Sequence, residues 1–128
     1  MPWSIQRVEK QTGAAVTRVP DQDGYVGFRA IEKVNGITLD ITVRNKRVGP
    51  ALEELAKRIY KAHSLIVFEH QNWRCAYCNR IGNLEIDHDT PRSKGVNHRV
   101  DNLIGVCSGP GGCGYHREKH GVAQWSTR

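Results

Sequence analysis

Apolar and polar residues alternate most cleanly over positions 37–43, where Ile37, Leu39, Ile41 and Val43 are separated by Thr38, Asp40 and Thr42. A period of two places the apolar set on one face of a strand. Residues 25–34 precede this run and are joined to it by Asn35-Gly36, the strongest short hairpin signal. If Val34 pairs with Ile37, then Ala30 falls opposite Ile41 and Phe28 opposite Val43, so one face of the hairpin is apolar. Residues 14–19 read as a strand before it, closed by Pro-Asp-Gln-Asp-Gly at 20–24. Residues 1–13 show no firm period and are read as an extended arm or loose strand, with Arg7 and Lys10 either solvated or on phosphate.

The period changes after Gly49-Pro50. Leu52, Leu55, Ala56, Ile59, Ala62, Ile66 and Val67 recur at helical spacing, while Glu54, Lys57, Arg58 and Lys61 take the other side. This predicts a helix of about 18 to 20 residues, with Pro50 in its first turn, covering the apolar face of the sheet. His63 and His70 are then helix residues near a surface or boundary. Arg29, Lys33, Arg44, Lys46 and Arg47 lie on the outer side of the sheet or just beyond it, as a solvated face or as contacts to a polyanion.

Beyond residue 70 the large apolar side chains thin out and the chemistry begins. Leu84 and Ile86 alternate with Glu85 and Asp87 in a short strand ending at His88. Residues 89–101, with Pro91 and Gly95, read as a polar loop that includes His98 as a solvated residue, and 103–106 as the return strand. Neighbouring strand residues face opposite ways, so Asp87 and His88 can serve one site only where the strand ends and bends.

All four cysteines lie in this half, as the pairs Cys75/Cys78 and Cys107/Cys113. Four thiolates in two pairs suit one tetrahedral structural Zn²⁺. The second spacing is wide, but its insert Ser-Gly-Pro-Gly-Gly can turn sharply enough to return Cys113 to the metal. Two disulfides are the competing account; they need an oxidising compartment, and no signal-peptide pattern opens the chain. Past Cys113, a short helix ending at Gly121 would put His116 and His120 at i and i+4 on one face. Alternatively Cys113 and His116 both serve the structural zinc, which frees Cys107.

In order, the C-x2-C pair, the strand ending in Asp87-His88, the Pro-Arg-Ser-Lys-Gly loop, Asp101-Asn102-Leu103, two further cysteines and a terminal histidine resemble the HNH nucleases. The resemblance covers roughly residues 69 to 120. It implies a treble-clef-like ββα-metal module and the hydrolysis of DNA phosphodiester bonds. On this resemblance His88 is the general base, and Asp87 and His116 hold a catalytic Mg²⁺, Mn²⁺ or Ni²⁺. Asn102 either braces the loop carrying the base or joins the metal shell. His120 is a third ligand, as in the colicin-type nucleases, or a surface histidine. Arg92, Lys94, Arg117 and Lys119 are the expected nucleic-acid contacts.

Composition agrees with such a partner. Lysine and arginine outnumber aspartate and glutamate by 19 to 13, which favours a polyanion. No apolar run approaches the length of a membrane span. The expectation is an intracellular, soluble α+β protein. Residues 1–70 form an antiparallel three-stranded sheet with one long helix, and 71–128 a zinc-framed nuclease module. A catalytically silent zinc-finger DNA-binding module and a zinc-framed protein-interaction domain are the alternatives. Oligomeric state is not readable from the sequence.

Overall fold

The structure is a computed structural model and describes residues 2–90 and 95–108. Among these residues the chain is α+β: a three-stranded antiparallel sheet, a long helix, then a β-hairpin beside a cysteine cluster. The strands are β1 (Ala15–Gln22), β2 (Tyr25–Val34) and β3 (Ile37–Asn45), in that order across the sheet. Val34 pairs with Ile37, Ala30 with Ile41 and Phe28 with Val43, the register that the alternation predicts. Asn35 and Gly36 both take positive φ, 49° and 80°, as a tight hairpin turn requires. Pro20 cannot donate a ladder hydrogen bond, and the β1–β2 register shifts between Val19 and Gln22.

The first element corrects the expectation of an arm or loose strand. Residues Ile5–Thr12 form a helix, α1. The Ser4 hydroxyl caps it by accepting from the Arg7 backbone N–H at 3.1 Å, and Gly13, at φ 81°, closes it by donating to the Glu9 carbonyl. Val8 and Thr12, one turn apart, are fully buried against the rest of the core.

The cover of the sheet is α2 (Val48–His70), 23 residues long. It begins two residues before Pro50, which therefore sits within the first turn, where a missing N–H costs no helical bond. Leu52, Leu55 and Ile59 on one face of α2 close the core against Phe28, Val16 and Val8. No helix among the described residues is long and apolar enough to cross a membrane.

The C-terminal end of α2 carries the second sheet, β4 (Leu84–His88) paired antiparallel with β5 (Leu103–Cys107). Gln71, just past the helix, docks the hairpin through its side-chain amide. Its Oε1 accepts from Gly105 N–H at 2.8 Å and its Nε2 donates to Gly105 C=O at 2.9 Å, as a neighbouring strand would. Gly105 permits this approach, because a Cβ there would lie 2.9 Å from the Phe68 ring. The hairpin is thus fixed on α2 at the point where the cysteine pair begins.

Candidate metal centre and the adjoining histidines

The first cysteine pair follows α2 through a tight turn. Cys75 N–H donates to the Arg80 carbonyl and Asn79 N–H to the Cys75 carbonyl, while Arg74 and Ile81 form a single bridge. Ala76 N–H donates to Gly105 C=O at 3.0 Å, which brings the turn against β5. Cys107, the last residue of β5, thereby reaches the pair. The sulfurs of Cys75, Cys78 and Cys107 all lie within 4.8 Å of one another, with Cys78 and Cys107 3.3 Å apart.

These distances fit a metal. Thiolates about 2.3 Å from a tetrahedral zinc lie about 3.8 Å from one another. The Cys78 and Cys107 sulfurs, at 3.3 Å, are too far apart to form a disulfide with each other. Backbone N–H groups of Tyr77 and Cys78 point at the Cys75 sulfur, at 3.3 and 3.5 Å, as they do toward anionic sulfur. The thiol of Cys78 is lowered to about 6, chiefly by hydrogen bonds from the Arg80 backbone and side chain. Burial raises the Cys75 thiol, but the backbone groups of Cys78, Tyr77 and Cys107 outweigh it and leave a net lowering. Thiols that ionise readily are what a metal needs, since the thiolate is the ligand. Three clustered cysteines can therefore bind a metal such as zinc. Cys113, the fourth expected ligand, lies outside the described residues.

One turn residue links this centre to the Asp-His pair. Tyr77, between the two cysteines, donates its hydroxyl to Asp87 Oδ2 at 3.1 Å. Asp87 and His88 end β4 and are both buried, 1% and 7% exposed, although they are adjacent in the strand. Asn102 is the brace between the two strands' ends. Its Oδ1 accepts from Thr90 N–H at 2.7 Å, its Nδ2 donates to Asn97 C=O at 2.8 Å, and its own C=O accepts from Asp89 N–H at 2.9 Å. Each bond holds a residue of the segments that flank His88 and His98.

His98 corrects the sequence reading. It is half-buried rather than solvated. Its ring stacks on Tyr60 with centroids 4.0 Å apart, and its Nδ1 lies 3.0 Å from His88 Nε2. Its backbone N–H donates to the carbonyl of Gln11 at the end of α1, at 2.7 Å. His63 is likewise not at a boundary, being fully buried. Its Nδ1 lies 2.8 Å from the His98 carbonyl and its Nε2 2.5 Å from Glu32 Oε1. Both ring nitrogens thus face oxygens. His70 is exposed at the end of α2, as expected.

The remaining expected site residues, His116, His120, Arg92, Lys94, Arg117 and Lys119, lie outside the described residues. Among the described residues only the three cysteines form a cluster of three or more metal-binding side chains. Tyr77, Tyr60, His63 and Gln71 were not foreseen as site residues; for Tyr77 the position inside the C-x2-C turn was a usable signal. No family model, curated protein or solved structure matches this chain, so the functional reading rests on the site itself.

Proposed function

We propose that the chain is a metal-dependent DNA endonuclease of the HNH type, built on a structural zinc. The observation that carries this reading is the shared placement of Asp87, His88 and Asn102. Asp87 and His88 end a strand beside the cysteine cluster, and Asn102 pins the loop that follows them.

In this reading the cysteines hold zinc and fix the hairpin, with Cys113 completing the set. Asp87, with His116 and His120 as further donors, holds a divalent ion; Tyr77 orients its carboxylate through Oδ2. Such an ion, when bound, offsets charge at the scissile phosphate. His88 takes the proton of the attacking water, and His98 orients the ring through the contact at its Nε2. Asn102 keeps the backbone after His88 from drifting, which preserves the distance between base and phosphate. Arg92, Lys94, Arg117 and Lys119 contact the nucleic acid.

One observation favours the second reading, a catalytically silent zinc-framed DNA-binding module: the His88 ring is nearly closed off and already engaged by His98. The test is cleavage of supercoiled plasmid with Mg²⁺, Mn²⁺ or Ni²⁺ by the wild type and a folded, zinc-loaded His88→Ala variant. The nuclease reading expects relaxed or linear product from the wild type alone. Binding without cutting by both, or equal cutting, would transfer the site to the silent module.

A further inference from the structure

The N-terminal helix was the element the sequence concealed, and its position gives it a role. α1 faces the loop that follows His88, and the two are joined where His98 N–H donates to the Gln11 carbonyl at 2.7 Å. Between them lies an open cleft of about 490 Å³. Arg7 and Lys10, one helical turn apart, form one wall, and Arg99 with Thr90 and Asn97 lines the other. Among the described residues lining it none is acidic. The sole acid of α1, Glu9, is turned to the sheet, where its carboxylate accepts from Val16 N–H at 2.9 Å. Arg7 is held in place by stacking over the Trp3 ring, 3.9 Å from its centroid.

This cleft is continuous with a hollow that reaches His98. Arg7, Gln11 and Val96 also line this hollow, whose far side is formed by Tyr60 and His98. His98 in turn touches His88. A strand of nucleic acid lying along α1 would therefore pass from three cations to the ring of His98, which contacts the ring proposed as the base. Two cations of the outer sheet are engaged within the sheet itself. Arg29 is held by Asp40 through two bonds of 2.8 and 2.6 Å, and Arg44 donates to the Pro20 carbonyl at 3.0 Å.

We infer that the cleft between α1 and the loop after His88 binds the phosphodiester backbone of DNA through Arg7, Lys10 and Arg99. The substrate class rests on the nuclease reading; the phosphate site rests on the cleft alone. The N-terminal region then acts in nucleic-acid binding through its first helix and not through its sheet face.

Neutralised phosphates release counterions, so each contact adds about 0.9 to the slope of log affinity against log salt. The experiment measures binding of a fluorescein-labelled 20-base-pair duplex by anisotropy between 50 and 300 mM salt. It uses zinc-loaded protein without added Mg²⁺, Mn²⁺ or Ni²⁺. Arg7→Gln/Lys10→Gln/Arg99→Gln is compared with a charge-matched control, Lys46→Gln/Arg47→Gln/Lys61→Gln. The cleft variant is expected to lose about 2.7 from the slope and about two orders of magnitude in affinity at 0.1 M salt, with little change in the control. Should the triple variant lose its fold, Lys10→Glu alone, at an exposed position, is expected to lower the slope by about 1. An unchanged slope, or equal losses in variant and control, overturns the cleft. Plasmid cleavage separates the two readings. Cleavage with an unaltered KM in the cleft variant removes the cleft and keeps the nuclease, whereas cleft-dependent binding without cleavage does the reverse.

Discussion

The two halves of this molecule are held together by different physics. From α1 to the end of α2 the buried side chains are almost all apolar, with Phe28, Leu52, Leu55 and Ile59 at the centre. Among the described residues from 71 to 108 the buried apolar ones are only Cys75, Leu103 and Val106, and three of the five buried polar residues of the described chain, Asp87, His88 and Asn102, lie here. The first half is stabilised by removing apolar area from water, which tolerates imprecision. The second has a few directed bonds from buried Asp87 and Asn102 and three converging cysteines in place of such a core. A fold can divide stability and chemistry in this way, keeping the polar groups concentrated where function needs them.

The largest expected effect breaks the comparison open. Structural zinc sites in small peptides supply about 10–16 kcal/mol of apparent binding energy, as much as an ordinary domain's entire stability. Removing zinc, or substituting Cys75→Ala, is expected to abolish amide protection across β4 and β5 while β2 and β3 stay protected. Hydrogen exchange followed residue by residue makes this check. Uniform loss in both sheets would show that the halves fold as one unit through α2. Retained protection in β4 and β5 would mean that the cysteines are not what holds the hairpin.

The converse variant acts on the other half. Leu55 is fully buried beneath the sheet, and Leu55→Ala leaves a cavity costing about 2–5 kcal/mol. Denaturant unfolding should show that loss in the midpoint with little change in slope, and zinc stoichiometry should stay the same. A loss of zinc at equal severity would tie the cluster to the core more closely than the hairpin's own bonds suggest.

What was legible in the sequence follows the same division. The β2–β3 register was readable because alternation and Asn35-Gly36 are local signals, and α2 because its apolar stripe repeats over many turns. The helix α1 was missed because eight residues give too few turns for a period; the cap at Ser4 and the stop at Gly13 were the available evidence. The clustering of Cys75, Cys78 and Cys107 was legible, because cysteine spacing is a chemical signal independent of the fold. The histidines were not. His63 meets Glu32 and the His98 carbonyl across 31 and 35 residues of chain, and His98 looked solvated because its loop is polar while its partners, Tyr60 and His88, lie elsewhere. Polar groups buried by long-range contacts leave no periodic trace.

Asn102 sharpens the comparison at a smaller scale. Asn102→Ala removes the partner of the Thr90 N–H and of the Asn97 carbonyl, at about 0.5–1.5 kcal/mol for each bond. The expected result is faster amide exchange at Thr90, with the β4–β5 ladder and zinc content preserved. If the brace also positions His88, plasmid cleavage should fall further than the stability loss explains. Asn102→Asp, which keeps the acceptor for Thr90 but loses the donor for Asn97, should lie between wild type and alanine. Protection at Thr90 that survives the alanine variant would assign the loop's order to the His98 contacts instead.

The smallest effect lies on the outer face of the first sheet, where charge is fully in water. Hydrogen bonds from Arg29 hold the Asp40 carboxyl below its ordinary range, against a weaker opposing effect of desolvation, and the same pair raises Arg29. A carboxyl whose folded value is depressed adds stability above its unfolded value of about 3.9, and that stability fades as pH falls through the folded value. Both groups are exposed and screened by salt, so Asp40→Asn should shift the thermal midpoint only slightly at pH 7. The shift should shrink as pH falls through the folded value, where the wild-type carboxyl also becomes neutral. A difference that persists there cannot come from the ion pair and would have to come from the packing of β2 on β3. The first half would then rely on a polar side chain in the manner of the second, and the contrast between them would narrow.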